Sequence, residues 1–124
     1  MNISRGFLVA GAAYLVIGIV FGADMGGSGD RTMAPVHAHI NLLGFTLMTL
    51  FGLAYLLVPG LDQGVLPRVH FWLHQVGAFL LLLGLGLMMS GQVPAETIGP
   101  VFPLLEGAIL LGAVLWLVNL LRRA

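Results

Sequence analysis

The residues of this chain best suited to chemistry are four histidines and one glutamate set in apolar surroundings. His37 and His39 lie two positions apart, and His70 and His74 lie four positions apart. Imidazole binds metals and haem iron, and it can transfer a proton near neutral pH. Glu106 is a carboxylate deep within an apolar stretch, where ionisable groups are costly and mark candidate functional sites. We therefore expect any chemistry to lie with these five side chains.

The composition narrows this chemistry. The chain has no cysteine, which excludes disulfides, thiolate nucleophiles, iron–sulfur clusters and c-type haem attachment. Any metal must be held by His, Met, Glu or Asp side chains. Five basic and five acidic residues balance to a formal net charge of zero, without the basic surface that a nucleic-acid-binding protein needs. The sequence therefore predicts no nucleic-acid partner.

The elements that must position these residues are four apolar stretches of membrane-spanning length. The chain is 59% hydrophobic and 8% charged, well beyond the apolar share of a soluble domain. A helix of about 20 apolar residues crosses about 30 Å of hydrocarbon. The sequence predicts helices at Gly6–Ala23, Pro35–Val58, Arg68–Gly91 and Gly99–Leu121, with glycine and proline between them. The prediction is one all-α domain over residues 1–124, an integral membrane four-helix bundle with the lipid bilayer as its solvent.

The distribution of charge predicts the orientation of the bundle, because basic residues stay on the cytoplasmic side of spanning helices. Four arginines fall at one end and three acidic residues at the other, with Arg31 against the trend: Arg5, Arg68, Arg122 and Arg123 against Asp24, Asp30 and Glu96. Both termini are therefore expected in the cytoplasm. The lack of cysteine and the short loops favour a multi-pass protein of a bacterial inner membrane.

The two histidine pairs are predicted at different depths, since each pair lies near the start of one of two antiparallel helices. Counting 1.5 Å of rise per residue from the loop at Pro59 places His39 about 28 Å and His74 about 9 Å above that loop, or about 20 Å apart. Two histidines on one iron need their nitrogens within about 4 Å of each other. We therefore expect that His39 and His74 of one protomer never ligate the same haem.

His37 and His39 are predicted to face opposite sides of their helix, because two residues turn a helix by about 200°. If one imidazole points into the bundle, the other faces lipid, a neighbouring protomer or the headgroup region. The alternative for His37 is an interfacial residue in the first turn with no ligand.

The outer layer of the bundle is expected to hold further polar groups at the depth of His39. It would contain His37, His39, Asn41 and Glu106, which could serve as a ligand with supporting groups or as proton carriers. Alternatively, Glu106 is a neutral acid that is hydrogen-bonded to a backbone carbonyl or to Asn41.

His70 and His74 share one helix face and could converge on a metal or lie beside a cofactor. The same face continues through a stripe of small and apolar residues, namely Gly77, Leu81, Gly84, Met88 and Gly91. The stripe favours close helix packing and would also admit a flat molecule. The inner pair is therefore expected to bind a metal, a second haem, a quinone headgroup, or each other through water.

Two segments resemble helices of subunit I of the haem–copper oxidase superfamily, in particular its nitric oxide reductase and cbb3-type branch. PVHAHINLLGFTLMTLFGLAYLLVP, residues 35–59, is similar to the second helix, and LPRVHFWLHQVGAFLLLLGL, residues 66–85, to the third. In that family an H-x-N motif near the outer end of the second helix supplies an axial histidine to a low-spin haem b. The matching residues are His39, Ile40 and Asn41 in the second helix and Pro67, Arg68, Phe71, Trp72 and Leu73 in the third.

The resemblance reaches only the N-terminal helices of that subunit. The second axial histidine and the ligands of the active-site haem and copper come from later helices, which this chain lacks. The resemblance therefore implies His39 as an axial ligand of haem b, and it does not imply reduction of oxygen or nitric oxide.

The first functional hypothesis is a b-type haem protein for electron transfer or for binding NO or O2. The second ligand would be His37 of the same or another protomer, a methionine, or nothing. Four short helices enclose little volume, so we expect a homo-oligomer with haem near the subunit interface, with a respiratory redox protein or quinone as a further partner.

The alternative hypothesis is a factor that handles copper or another metal through the histidines, aided by Met25 and Met33 in the outer loop. A third is a structural partner of a respiratory complex without haem. Whether the chain is an enzyme stays open at this point.

Overall fold

The regular structure of this chain consists of four long helices. A computed structural model describes residues 1–123, and within that range the chain contains helices and no strands. The helices are α1 (Ile3–Ser28), α2 (Ala34–Leu57), α3 (Leu66–Met89) and α4 (Ala95–Arg123), and each is long and apolar enough to cross a membrane. The prediction of an all-α fold with four helices of spanning length is confirmed.

The first helix is longer than hydropathy indicates, because its ends are set by capping groups. The side chain of Asn2 accepts a hydrogen bond of 2.9 Å from the backbone N–H of Arg5 and so caps the first turn. At the other end the helix continues past the predicted Ala23 and ends at Gly29, whose φ of 73° is the left-handed conformation that glycine adopts most easily. The glycine-rich segment 26–29 is therefore helical as far as Ser28, and its last residue, Gly29, caps α1.

The second helix is interrupted by a wider turn immediately after His39. Residues Ala34–His39 and Leu47–Leu57 are α-helical, whereas Ile40–Thr46 form a π-helical segment between them. The backbone N–H of Leu47 accordingly bonds to the carbonyl of Leu42, five residues back. Such π segments occur often at functional sites.

The bundle is built from two helical hairpins. α1 packs along α2, and α3 packs along α4, whereas α2 and α4 make few direct contacts among the described residues. The α1–α2 contact depends on glycine: a Cβ at Gly44 would lie 2.5 Å from Cγ of Tyr14, and one at Gly52 would lie 2.7 Å from Cγ of Leu8. The sparse contact between α2 and α4 leaves a groove between them.

The main core lies toward the Arg-rich end, where α1, α2 and α3 meet. It is aromatic, with Phe7, Phe51, Tyr55 and Phe71 all buried. Phe7 contacts the other rings at centroid distances of 5.4 Å to Phe51, 5.8 Å to Tyr55 and 5.0 Å to Phe71. In contrast, the α-helical segment Phe102–Arg123 of α4 buries only Gly112 and Asn119. α4 therefore presents most of its apolar surface outward.

Candidate functional site

His39 is held in one tautomer by its own helix. Its Nδ1–H donates a hydrogen bond of 2.7 Å to the carbonyl oxygen of Pro35. A carbonyl oxygen can only accept, so Nδ1 carries the proton and Nε2 of the neutral ring keeps its lone pair. Histidines that ligate metals are oriented in this way, with one nitrogen donating to a carbonyl or carboxylate and the other left for the metal. The His39 side chain is exposed, so Nε2 is open to a ligand.

His39 and Glu106 line the same groove, which lies between α2 and α4. The groove has a volume of about 580 Å³, within the range of about 300–1,000 Å³ typical of small-molecule sites. Its other walls are apolar, and they include the thioether of Met88 and the ring of Phe102. We name this the His39 groove. Glu106 is exposed there, so the structure brings together the two groups that the sequence placed at similar depth.

His37 and Asn41 lie on the opposite side of α2, against α1. The Asn41 Nδ2 donates to His37 Nε2 at 3.2 Å. The pair packs where α1 has glycine: a Cβ at Gly22 would lie 3.2 Å from Cε1 of His37, and one at Gly18 would collide with Oδ1 of Asn41. His37 and His39 thus face apart, as the 200° rotation requires. Within one protomer, His37 does not reach the His39 groove, and Asn41 supports His37 and not His39 or Glu106.

His70 is fully buried in the aromatic core. Its Nδ1 is hydrogen-bonded to the Tyr55 hydroxyl at 2.7 Å, and its ring meets that of Phe51 edge-on at a centroid distance of 4.5 Å. Within residues 1–123 its Nε2 has no hydrogen-bond partner, and neither has the buried Nε1 of Trp116, whose ring centroid is 6.4 Å away. On this side α4 approaches closely, since a Cβ at Gly112 would lie 3.3 Å from Cδ2 of His70. His70 is therefore a core residue whose side chain is closed off from the surface.

His74 connects α3 to the π segment of α2. Its Nε2 donates a hydrogen bond of 2.9 Å to the carbonyl oxygen of Leu43, whose side chain lines the His39 groove. Leu43 is only four residues from His39, or about 6 Å of helical rise. The separation of about 20 Å expected between His39 and His74 is therefore too large. The estimate from 1.5 Å of rise per residue assumed that α2 and α3 are regular α-helices that start at the same height above the loop. It did not include the π segment of α2 or the length of the His74 side chain.

The two inner histidines are hydrogen-bonded to different partners. The rings of His70 and His74 are 6.1 Å apart between centroids and are tilted by 68°. Each ring has a nitrogen bonded to a different partner, and no group of three or more His, Cys, Asp or Glu in residues 1–123 is placed to hold a metal ion.

The small residues that follow the inner pair along α3 serve helix packing. A Cβ at Gly77 would lie 3.0 Å from Ile109, and one at Gly84 would lie 3.2 Å from Ile98, both on α4. Gly91 lies beyond the helix, with a φ of 78°, and Met88 lines the His39 groove. Of the two interpretations of the stripe, close helix packing describes Gly77 and Gly84.

Three groups of the candidate site were not connected with the histidines by the sequence analysis. Tyr55 and Trp116 resemble ordinary apolar-face aromatics in the sequence, yet one is hydrogen-bonded to His70 and the other has a buried, unpartnered N–H. Met88 was visible only as part of a stripe on α3. The tyrosine could have been found from its helical position, since it lies four residues after Phe51 on the same buried face of α2.

Comparison with known proteins found no match for this chain. No family model, no curated protein and no solved structure matches the chain. The similarity to haem–copper oxidase helices thus stays a prediction drawn from the residues quoted above. Support for a function therefore comes from the geometry of the His39 groove.

Proposed function

We propose that this chain is an integral membrane protein that binds haem b, with His39 as an axial ligand in the groove between α2 and α4. One observation carries the proposal: His39 is fixed with its proton on Nδ1 and its Nε2 lone pair available at an apolar groove. When bound, haem would supply one-electron transfer or the binding of a diatomic gas. The residues of this chain would ligate the haem iron, orient the haem and enclose it.

Membrane insertion is supported by the outward faces of the helices. Large apolar side chains on every helix are exposed, including Val16 at 62%, Leu57 at 72%, Phe79 at 57% and Leu104 at 75%. Soluble monomers rarely expose continuous apolar surfaces of this extent. The arginines at one end support cytoplasmic termini, and a bacterial inner membrane remains the proposed location.

The residues that line the His39 groove are of the types that hold a haem. An imidazole with a free Nε2 lies in one wall, the remaining lining is almost wholly apolar, and the thioether of Met88 would be available as a further ligand to the iron. Glu106 adds a carboxylate to the same groove, where it would influence the charge balance around the iron. Of the second ligands considered from the sequence, Met88 is the one that lines this groove.

A homo-oligomer is part of the proposal. His39 and Glu106 are both exposed within helices of spanning length, so the single chain leaves one side of the groove open to lipid. Polar and ionisable groups facing lipid are costly, and a second copy would cover them. A respiratory redox protein or a quinone remains the proposed electron partner.

The test is the visible spectrum and haem content of protein purified from membranes in detergent. We expect a Soret band and a non-covalent haem b, with His39→Ala losing most of the haem. The matched control is His37→Ala, which removes an imidazole from the opposite face of the same helix, where it is bonded to Asn41, and it should keep the haem. A His39→Ala protein with wild-type haem content and reduced spectrum would show that the axial assignment is wrong. A purified protein with copper and no Soret band would instead favour the metal-handling alternative.

A further inference from the structure

A second groove lies between α3 and α4, on a different face from the His39 groove. It begins at Arg68, in the first turn of α3, and passes Trp72 and Val76 to reach Gly77. The nine helical steps from Arg68 to Gly77 make it about 13 Å long, and its volume is about 480 Å³. Apart from Arg68, its lining side chains are uncharged and almost wholly apolar. We name it the Arg68 groove.

The depth of this groove comes from small residues on its floor. Gly77 and Ala108 lie at the α3–α4 contact, where a Cβ at Gly77 would be 3.6 Å from that of Ala108. The larger side chains of Trp72 and Val76 lie along the groove, and both are at least half exposed, at 56% and 50%. The groove is therefore an apolar channel that no segment of residues 1–123 fills.

The charge at one end of the groove is positive, since it comes from the guanidinium of Arg68. Arg68 is exposed, and the first turn of α3 carries no acidic residue and no side-chain cap. The N-terminus of α3 adds positive potential at the same place. The basic C-terminal turn of α4, with Arg122 and Arg123, lies at the same end of the bundle. A molecule that complements this groove needs an anion at one end and an apolar chain along the rest.

We propose that the Arg68 groove binds an anionic phospholipid, with its phosphate at Arg68 and an acyl chain along Trp72, Val76 and Gly77. A soluble anion would leave the apolar channel unfilled, and an uncharged lipid would leave the positive end uncompensated. The proposal rests on the membrane insertion proposed above and is independent of haem. Basic pockets between spanning helices on the cytoplasmic side bind anionic headgroups in this manner.

Trp72 provides a direct probe of this site because bromine atoms on an acyl chain quench a tryptophan that they contact. The detergent-purified full chain would carry Trp116→Phe, so that Trp72 is the only indole. It would be titrated with brominated phosphatidylglycerol and, separately, with brominated phosphatidylcholine. We expect phosphatidylglycerol to quench at about fivefold lower concentration, the factor that one arginine contributes near an anionic lipid surface. Arg68→Gln should remove the preference, and Arg68→Lys should keep it.

The control variant is Arg5→Gln, which removes a charge from the same end of the bundle but outside this groove and should leave the preference intact. Equal quenching by the two lipids, or a preference that survives Arg68→Gln, would overturn the proposal. If Arg68→Gln fails to fold, a competition experiment on the protein that keeps Arg68 replaces it. We expect excess unbrominated phosphatidylglycerol to relieve the quenching more than excess unbrominated phosphatidylcholine does, and equal relief would overturn the proposal. Recovery of the chain in the aqueous fraction, with no quenching by either lipid, would refute membrane insertion itself.

Discussion

The hydrogen bond between Tyr55 and His70 is the polar contact of the core whose removal has the most predictable cost. Tyr55→Phe deletes the hydroxyl and keeps the ring, which stacks on Phe7 at 5.8 Å with planes only 8° apart. His70 is fully buried, and its Nε2 already lacks a partner among the residues that the structure describes. The substitution leaves Nδ1 without its partner as well, and an unsatisfied buried polar group costs about 1–3 kcal/mol. We expect the free energy of unfolding to fall by that amount.

A double-mutant cycle separates this cost from a simple loss of packing. His70→Phe removes both ring nitrogens, so the Tyr55 hydroxyl loses its hydrogen bond to His70. The double variant Tyr55→Phe with His70→Phe removes both partners, a change that can be nearly neutral. The unfolding free energies would be measured by equilibrium denaturation in mixed micelles. We expect the double variant to be at least about 1 kcal/mol more stable than the sum of the single effects predicts.

Tyr14→Phe is the control for the tyrosine substitution, because it removes a hydroxyl from a half-buried position on α1 outside this core contact. It should cost less than about 1 kcal/mol. Additive effects in the cycle, or a Tyr55→Phe protein as stable as wild type, would refute the conclusion that His70 depends on Tyr55 for its hydrogen bond.

The other predictions concern the groove and the helix contacts around it. Glu106→Gln should raise the midpoint potential of the haem, since a carboxylate near the iron favours the ferric form; superimposable redox titrations would remove Glu106 from the site. His74→Leu should speed amide exchange in residues 40–48 and cost about 1–3 kcal/mol, because the Leu43 carbonyl loses its side-chain donor. Exchange equal to wild type would contradict this role. Gly44→Val should cost about 1–3 kcal/mol through overpacking against Tyr14, and unchanged stability would contradict the close α1–α2 approach.

The fold could be predicted from the sequence because the solvent imposes it. In lipid, a long apolar run forms a helix because the helix hydrogen-bonds every backbone N–H and C=O group internally. The four apolar runs accordingly form four helices. The ends of the helices could not be predicted as well. They depend on local groups, such as the Asn2 cap and the left-handed Gly29, which hydropathy does not register.

The candidate site was only partly accessible from the sequence. Rotation of 100° per residue was sufficient to separate His37 from His39 onto opposite faces. The helical count failed for His74, since a π segment and a side-chain bond to Leu43 depend on how α3 packs against α2. Met88 could not be linked to His39 for the same reason, because the groove forms only where two hairpins meet without filling the space between α2 and α4. Contacts within one helix follow from spacing, whereas contacts between hairpins require the structure.

Axial ligation by His39 can be measured most directly by replacing the ligand from solution. His39→Gly removes the imidazole and leaves a space of its size beside the groove, while the Pro35 carbonyl keeps its position in the helix. We predict that this variant purifies with little haem, and that added haem with free imidazole restores the wild-type reduced spectrum in a saturable way. Imidazole should have no such effect on the wild-type protein. If haem binds to the His39→Gly protein with the wild-type spectrum and no imidazole, or if imidazole restores nothing in a folded variant, His39 is not the ligand and the proposed function is wrong.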